Sequence, residues 1–302
     1  MATADPAALP VDPDDRARLP ALLMVVAAAV LWSTSGIVFR LIEDADQWQV
    51  VFWRSGTLVP FLILLIVLRS GFRPMAMVRA AGWHAPLAGV FLGIAFTCWI
   101  LALAETTVAN AVFILCCSPI ASVLLARIFL GERLGRSTVF AIACVIVGVG
   151  IITAGAVEGG RLLGNLFALG AALGFASYTV TVRVRRDVDM LPAVFFAGLF
   201  SALVGLAAAG GDIAIGGYDI WLCTVLGVGQ IGLGLVIYTA GARHLPAVEL
   251  TLLSLIEVVL APIWVWALLA ERPSPETLIG GTIMLAGVAG QAVVMMRRRR
   301  PG

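Results

Sequence analysis

The chain carries little charge. Only 13% of its 302 residues are charged, whereas soluble chains carry about 25%, and the mean hydropathy is +1.04. Hydrophobic residues make up 61% of the sequence. A soluble domain of this length cannot bury so much apolar surface, so the composition excludes that class and indicates that lipid is the solvent.

Residues that commonly build catalytic and metal sites are also scarce. Histidine occurs twice, at His84 and His244, both at predicted helix ends. The five cysteines lie inside apolar segments without CxxC or Cys/His spacing, which is typical of small core residues. We find no spaced pair of nucleophile and base and no glycine-rich phosphate loop. The sequence therefore predicts no metal or cofactor, and it argues against a membrane enzyme and against transport powered by nucleotide hydrolysis.

Ten apolar segments are long enough to cross a membrane as helices, which takes about 20 residues each. Strands of a β-barrel are about ten residues long and alternate in polarity, whereas these segments are apolar all round. The sequence therefore predicts an all-α integral membrane protein with ten transmembrane helices, numbered 1 to 10 in chain order. The predicted ranges are 20–42, 48–69, 84–103, 107–130, 137–156, 161–183, 190–210, 217–242, 247–270 and 275–296.

The chain contains two diverged copies of one unit. A shift of about 139 residues aligns Glu132 with Glu271 and Trp99 with Tyr238, and LWSTSGIVFR of helix 1 aligns with GFASYTVTVR of helix 6. Five helices per copy is an odd number, so the copies form two inverted repeats, which commonly meet at a substrate site. The predicted divisions are a disordered cytoplasmic tail (1–19), the first repeat (20–157), the second repeat (158–296) and a basic cytoplasmic tail (297–302).

Arginine sets the orientation, because lysine is absent and all twenty basic residues are arginines. With the N-terminus inside, sixteen arginines lie on the cytoplasmic side, three lie outside (Arg40, Arg161 and Arg272), and Arg54 lies within helix 2. The positive-inside rule then predicts that both termini are cytoplasmic. The first helix lacks the pattern of a cleaved signal peptide. We expect a multi-pass protein of a bacterial-type inner membrane.

Four stretches carry a family resemblance: LWSTSGIVFR in helix 1, VFWRSG in helix 2, SPIASVLLARIFLGERL in helix 4 and SLIEVVLAPIWVWALLAERP in helix 9. In this order and duplication they resemble the EamA-type transporters of the drug/metabolite transporter superfamily, over about residues 20–296. Departures are Val258 and Ala270, where the family often has proline and glycine. The resemblance implies a basket of ten helices around a central cavity that opens alternately to each side. It also implies export of amino acids, related metabolites or toxic compounds.

Glu257 is the sharpest candidate for a functional residue. It lies about 15 Å along helix 9, at 1.5 Å per residue, where a carboxylate costs about 2.5–3.5 kcal/mol on insertion scales. Helical spacing places it on one face with Leu250, Ser254, Ala261 and Trp264. Two roles remain open: a cavity residue that serves a substrate ammonium group or a proton, and a protonated tie between helices.

Matched aromatic and hydroxyl residues indicate a pocket of ring faces with a few hydrogen-bonding groups. Ordinary helix packing, which also concentrates small and hydroxyl residues, is the alternative. We expect helices 1, 4, 6 and 9 to share one cavity, with helices 5 and 10 outside it. The residues predicted to line this cavity are Trp32, Ser35, Trp99, Ser118, Tyr178, Tyr238, Ser254 and Glu257.

Arg54 has three open roles: it snorkels to the interface, pairs structurally, or points inward and engages a carboxylate. The last role would make it, like Glu257, a candidate for proton or charge coupling. Glu132 and Glu271 stand at helix ends and are expected to tie loops to neighbouring helices, with Arg133 and Arg272 as local partners.

The glycines Gly148, Gly150, Gly287 and Gly290 predict close approach of helices 5 and 10. These are the last helices of the two units, and a neighbouring helix or a second subunit is the expected contact.

The sequence favours a secondary transporter that exports small metabolites by alternating access. An acidic, aromatic pocket suits amino acids or related amphiphilic and zwitterionic compounds, and cationic drugs or toxic compounds are the alternative. A channel usually needs a ring of subunits or a filter motif, and neither is visible. The expected partners are a small-molecule substrate and the lipid bilayer, without nucleic acid, and both a monomer and a homodimer remain open.

The orientation is testable by thiol labelling. In a cysteine-free background, a single cysteine at Asp46 or Asp212 should react with an impermeant reagent added to intact cells, because both loops are predicted to lie outside. A cysteine at Arg186 should stay unlabelled. Labelling of Arg186→Cys in intact cells would contradict the inverted arrangement.

Overall fold

The computed structural model describes residues 13–131, 136–158, 160–185, 188–245 and 247–299. Within these ranges all regular structure is helical, and ten helices are long and apolar enough to cross a membrane. The predicted all-α class with ten transmembrane helices is therefore confirmed. Glu132, Arg133 and Arg186 lie outside the described residues.

The observed helices follow the predicted ranges closely, with three interruptions and one addition. Helix 1 breaks at Thr34, helix 4 breaks at Cys116–Cys117, and helix 8 contains a π-helical segment. A short helix, Pro74–Ala81, lies between helices 2 and 3. The bounds are Pro13–Ser33 and Ser35–Arg40 (helix 1), Gln47–Arg69 (2), His84–Glu105 (3), Val108–Leu115 and Ser118–Leu130 (4), Arg136–Glu158 (5), Leu162–Val184 (6), Leu191–Ala208 (7), Gly217–Thr224, Val225–Leu233 and Gly234–Ala242 (8), Ala247–Leu269 (9) and Pro275–Arg299 (10).

Part of the predicted disordered tail is helical. Helix 1 begins at Pro13, so the expectation of disorder is wrong for residues 13–19. Arg18 forms a salt bridge of 2.8 Å with Glu249 at the start of helix 9, which gives this extra turn a partner. The remaining tail residues, 1–12, lie outside the described residues.

Capping explains where helix 2 begins. The Asp46 side chain accepts hydrogen bonds from the backbone N–H groups of Trp48 and Gln49, and the Gln49 side chain accepts one from the Asp46 N–H. This reciprocal capping box satisfies amide groups that have no partner within the helix. Gln49 also donates to the carbonyl of Asp212, so the start of helix 2 is fixed to the loop that follows helix 7.

The packing between the two halves has a symmetric pattern. Helix 3 packs along helices 6 and 7, and helix 8 packs along helices 1 and 2. Helix 4 packs on helix 6, and in the same way helix 9 packs on helix 1. Helices 2 and 7 pack together, and helices 5 and 10 pack together. Exchanging the first five helices for the last five converts each of these contacts into another of the set or, for the pairs 2–7 and 5–10, into itself. Two repeats related by a pseudo-twofold axis are expected to pack in this way.

Glycines bring helices 5 and 10 together. A Cβ atom on Gly148 would collide with the Met284 side chain, and one on Gly287 would collide with helix 5. A Cβ on Gly150 or Gly290 would meet no atom within 4 Å. The predicted close approach is therefore confirmed for Gly148 and Gly287, and the partner of each helix is the other one.

This difference makes a matched pair of substitutions. Gly148→Ala should lower the thermal unfolding temperature of the detergent-purified protein, because overpacking costs about 1–3 kcal/mol. Gly150→Ala should leave it unchanged or raise it, since alanine favours a helix over glycine by about 0.5–1 kcal/mol. Equal effects of the two changes would contradict the packing described here.

Candidate functional site

Helix 1 breaks where two hydroxyl groups bond to its own backbone. The Ser33 hydroxyl donates to the Val30 carbonyl at 2.6 Å, and the Thr34 hydroxyl donates to the Leu31 carbonyl at 2.7 Å. Such local bonds compete with the helical ladder and often bend a helix. The second half of helix 1 begins at Ser35, which is buried.

Helix 8 supplies hydrogen bonds at this break. The Gln230 side chain donates to the Trp32 carbonyl at 2.7 Å, and the Trp32 indole donates to the Gln230 carbonyl at 3.1 Å. Gln230 lies in the π-helical segment Val225–Leu233. Segments of this kind are rare in proteins, but those that occur are often found at functional sites. The indole lies against Gly234, where any Cβ atom would collide with it.

Helix 9 completes the cluster around the break. The rings of Trp32 and Tyr238 lie 5.2 Å apart between centroids, and the Tyr238 hydroxyl lies within hydrogen-bonding reach of Ser254. The Trp264 indole donates to the Ser33 hydroxyl at 2.9 Å. Three of the predicted cavity residues, Trp32, Tyr238 and Ser254, are therefore brought together by helices 1, 8 and 9.

Helix 4 breaks at Cys116–Cys117, two residues before a proline. Pro119 has no N–H to donate, and its ring clashes with the carbonyl four residues earlier. The second half of the helix begins at Ser118, which is buried, and the Ser122 hydroxyl donates to the Ser118 carbonyl at 2.9 Å. The sequence contains this proline, but the predicted span was continuous.

Glu257 lies on the inner face of helix 9 beside the break in helix 4. It is close enough to Cys116 for an electrostatic interaction. The opposite face of the helix, with Val259, Ile263 and Trp266, is exposed, whereas Glu257 is only partly exposed. Among the described residues, none forms a salt bridge or a hydrogen bond with its carboxyl group. This arrangement leaves the carboxyl group available to a proton or a cation.

Arg54 is buried in the protein, with 4% of its surface exposed. It donates to the Phe96 carbonyl at 3.0 Å, and its guanidinium lies 5.2 Å from the centre of the Phe96 ring. Its Nε atom has no hydrogen-bond partner in the described part of the chain. The snorkelling alternative is therefore wrong, because the side chain is held against helix 3 and does not reach an interface.

One end of the bundle, called here the Glu271 end, is closed by a polar network. The Glu271 carboxylate accepts hydrogen bonds from Arg40 at 2.9 Å and from the backbone N–H of Val108 at 2.7 Å. Arg40 also donates to the Thr106 carbonyl at 2.8 Å. The expected tie between loop and helix ends is confirmed for Glu271, but its partner is Arg40 and not the neighbouring Arg272. The expectation of a local partner is wrong because the fold brings helix 1 against this loop.

The opposite end, called here the Asp189 end, contains two adjoining cavities of about 160 and 480 Å³. They share Tyr178, Asp189 and Met190. The first lies between helices 2, 6, 7 and 8 and thus touches both halves of the chain. Its lining residues are Leu65, Arg69, Tyr178, Asp189, Met190, Leu191, Val194, Leu235 and Thr239.

The predicted cavity residues are thus distributed over three places. Tyr178 lines the cavities at the Asp189 end, and Trp99 is buried in the largest apolar cluster. The other six lie around the breaks in helices 1 and 4. Their role in binding stays a prediction. Sequence reasoning missed Gln230, although a glutamine within the glycine-rich apolar run VLGVGQIGLG was a usable signal.

The sequence model of the EamA-like transporter family matches residues 19–154 and, a second time, residues 162–292. The chain belongs to the EamA-like transporter family. The first match covers helices 1–5 and the second covers helices 6–10, apart from the outer ends of helices 1, 5 and 10. The two halves therefore match the same family model.

Several known proteins are similar to this EamA-like transporter. The Pseudopaline exporter CntI of Pseudomonas aeruginosa is 26% identical over 298 residues, which cover 92% of this chain and 97% of that protein. The Chloramphenicol-sensitive protein RarD of the same species is 30% identical over 204 residues, covering 62% and 63%. A solved crystal structure with 20% identity matches 93% of this chain and 99% of its own, with a TM-score of 0.66, and shows the same fold.

The hydrogen bonds of Gln230 can be tested against those of a second buried glutamine. Gln291 donates to Thr138 between helices 10 and 5, away from the two breaks. Gln230→Leu and Gln291→Leu should both lower the unfolding temperature, because each leaves a buried acceptor unpaired at a cost of about 1–3 kcal/mol. In proteoliposomes, Gln230→Leu alone should also raise the KM of the transported compound. Equal KM values for the two variants would show that the break in helix 1 has no role in substrate binding.

Proposed function

We propose that this protein is a secondary transporter that exports small metabolites by alternating access. The proposed substrates are amino acids or related amphiphilic and zwitterionic compounds. The observation that carries this proposal is the position of Glu257, midway along a membrane helix, on its inner face and without an ion-pair partner in the described part of the chain. Retaining a carboxyl group there is costly, so an intramembrane acid is by default a functional residue.

The interrupted helices support a site near the midplane. Transporters with inverted repeats commonly build their sites from discontinuous helices, whose free backbone groups face the substrate. Here helix 9, which carries Glu257, packs against the first half of helix 4, which ends at the break, and the break in helix 1 is joined to helix 9 through Trp264 and Ser33. We assign Glu257 to the ammonium group of the substrate or to a proton. The aromatic pair Trp32–Tyr238 borders the same region.

The difference between the two ends of the bundle supports loading of substrate from the cytoplasm. The positive-inside rule assigns the Asp189 end to the cytoplasm and the Glu271 end to the outside. In this conformation the cavities lie at the proposed cytoplasmic end, while Arg40 and Glu271 hold helices 1, 4 and 9 together at the other. Substrate would enter from the cytoplasm, and its release outside requires this ion pair to separate.

Binding at Glu257 offers a means of coupling substrate export to proton entry. A single carboxyl group holds either a proton or the ammonium group of a substrate, so the two compete. A proton that arrives from outside would displace the substrate and return inward with the carrier. Both termini lie in the cytoplasm in this proposal, and the protein resides in a bacterial-type inner membrane.

Export of organic cations is the second candidate, and the aromatic residues favour it. Trp32, Tyr238 and Trp264 lie on the helices around Glu257, and cations bind well over such rings. A cation without a carboxylate would be recognised by this set alone. Competition by such compounds against amino acids separates the two candidates.

Glu257→Gln tests the central assignment. Glutamine keeps the size and hydrogen bonding of the side chain but neither ionises nor takes up a proton. The variant should be produced and folded normally yet show at least about a hundredfold slower pH-driven transport in proteoliposomes, because the charge-assisted contact is worth about 1.5–3 kcal/mol and coupling is also removed. Compounds should be screened as radiolabelled amino acids and organic cations.

Glu249→Gln is the matched control, because Glu249 lies on the same helix but pairs with Arg18 at the helix start. This variant should transport at the normal rate. Normal transport with unchanged pH dependence in Glu257→Gln would instead assign Glu257 to a structural tie between helices.

A further inference from the structure

The cavity at the Asp189 end contains a pair of opposite charges that is not fully closed. Arg69 Nη1 and Asp189 Oδ2 lie 3.8 Å apart, which is beyond hydrogen-bonding distance. Their side chains remain 28% and 43% exposed. Each group therefore keeps hydrogen-bonding capacity on the side that faces the cavity.

Both charged groups are held in place by hydrogen bonds to neighbouring helices. Asp189, which precedes helix 7, accepts the first backbone N–H of that helix, from Leu191, on Oδ1 at 2.9 Å, and this leaves Oδ2 toward Arg69. Arg69 Nη2 donates to the Thr239 hydroxyl of helix 8 at 3.3 Å. The positive and negative groups are thus fixed side by side before a ligand arrives, which reduces the entropy lost on binding.

The rest of the wall is apolar. The Tyr178 side chain and the aliphatic side chains of Leu65, Leu191, Val194 and Leu235 complete the smaller cavity. Its volume is about 160 Å³. A small molecule with a charged head and a short apolar side chain fits this combination.

We propose that Arg69 and Asp189 form an entrance site, at the Asp189 end, that binds the carboxylate and the ammonium group of a zwitterionic substrate before it reaches Glu257. Arg69 holds the carboxylate, Asp189 holds the ammonium group, and the apolar wall with Tyr178 receives the side chain. The site deepens the proposed function and rests on it, since it loads the same transport pathway from the proposed cytoplasmic side.

Within the smaller cavity the charge balance favours a zwitterion over a simple cation or anion, because Arg69 and Asp189 are its only charged residues among the described residues that line it. A cation would occupy Asp189 and leave Arg69 without its counter-charge, and an anion would do the reverse. Removing one partner from a charged pair leaves the other uncompensated, which disfavours binding. A molecule with both groups on neighbouring carbons compensates both side chains at once. The larger cavity shares Asp189 with the smaller one and is also lined by Arg183 and Arg185.

Leucine and two of its fragments test the site in the purified full-length chain. The fragment 3-methylbutylamine lacks the carboxylate, and 4-methylpentanoate lacks the ammonium group. In proteoliposomes that hold the wild-type protein, unlabelled leucine should compete with radiolabelled leucine at least about tenfold better than either fragment, the factor expected for one charge-assisted hydrogen bond. Equal competition by 3-methylbutylamine would overturn the zwitterion site and favour the export of organic cations.

Two variants test the contributions of the Arg69 and Asp189 charges separately. Arg69→Gln should raise the KM for leucine at least about tenfold and abolish its advantage over 3-methylbutylamine. Asp189→Asn should raise the KM similarly and abolish the advantage over 4-methylpentanoate, while asparagine still caps helix 7. The maximal rate should stay within about twofold in both, because the site acts on capture. A purely structural role would not abolish the advantage of leucine over one fragment alone. Arg73→Gln, an exposed arginine outside both cavities, is the control.

The outcomes distinguish this site from the proposed function. If Glu257→Gln stops transport while Arg69→Gln and Asp189→Asn keep the wild-type KM and ranking, the entrance site is wrong and the transporter assignment stands. A wild-type protein that carries another compound but no amino acid also overturns the site alone. If the wild-type protein binds leucine with the expected ranking but does not carry it across the membrane, the proposed transport function is wrong.

Discussion

Within hydrocarbon a backbone N–H or C=O group finds no water, so each interruption of a membrane helix needs a partner from elsewhere in the protein. The break in helix 1 is served by the Gln230 side chain of helix 8, and the first N–H of helix 4 is taken by Glu271. Both partners are distant in sequence. The break in helix 1 and the start of helix 4 are therefore stabilised by the other half of the chain, and the candidate site depends on that packing.

This dependence links the fold to the proposed cycle. The groups that satisfy these two backbone positions sit on helix 8 and on the loop after helix 9, and the same loop forms part of the Glu271 end. A movement that opens the Glu271 end must part Arg40 from Glu271 without exposing the Val108 N–H to lipid. Water that enters with the opening provides the alternative partner. The Glu271 end can therefore open only if water enters it at the same time.

The number and ranges of the helices follow from the sequence because length and hydrophobicity alone decide whether a segment can cross a membrane. Gly148 and Gly287 were also readable, since close helix approach requires the absence of a side chain. The break at Thr34 was not, because it depends on hydroxyl bonds and on Gln230, about 200 residues away. The partner of Glu271 was misassigned for a related reason: sequence reasoning favoured Arg272 next to it, whereas the fold supplies Arg40. The cavity that holds Arg69 and Asp189 forms only when helices 2 and 7 meet.

The π-helical segment has a consequence for the phase of helix 8. An α-helix turns by about 100° per residue, so one residue added within a turn rotates everything after it by about that angle. Leu235, Tyr238 and Thr239 all follow the segment, whereas the corresponding helix 3 is α-helical over His84–Glu105. The two halves therefore present different surfaces at equivalent depths. In an alternating cycle, the inward-open and outward-open states of this protein are then not interchangeable by symmetry, and their free energies need not be equal.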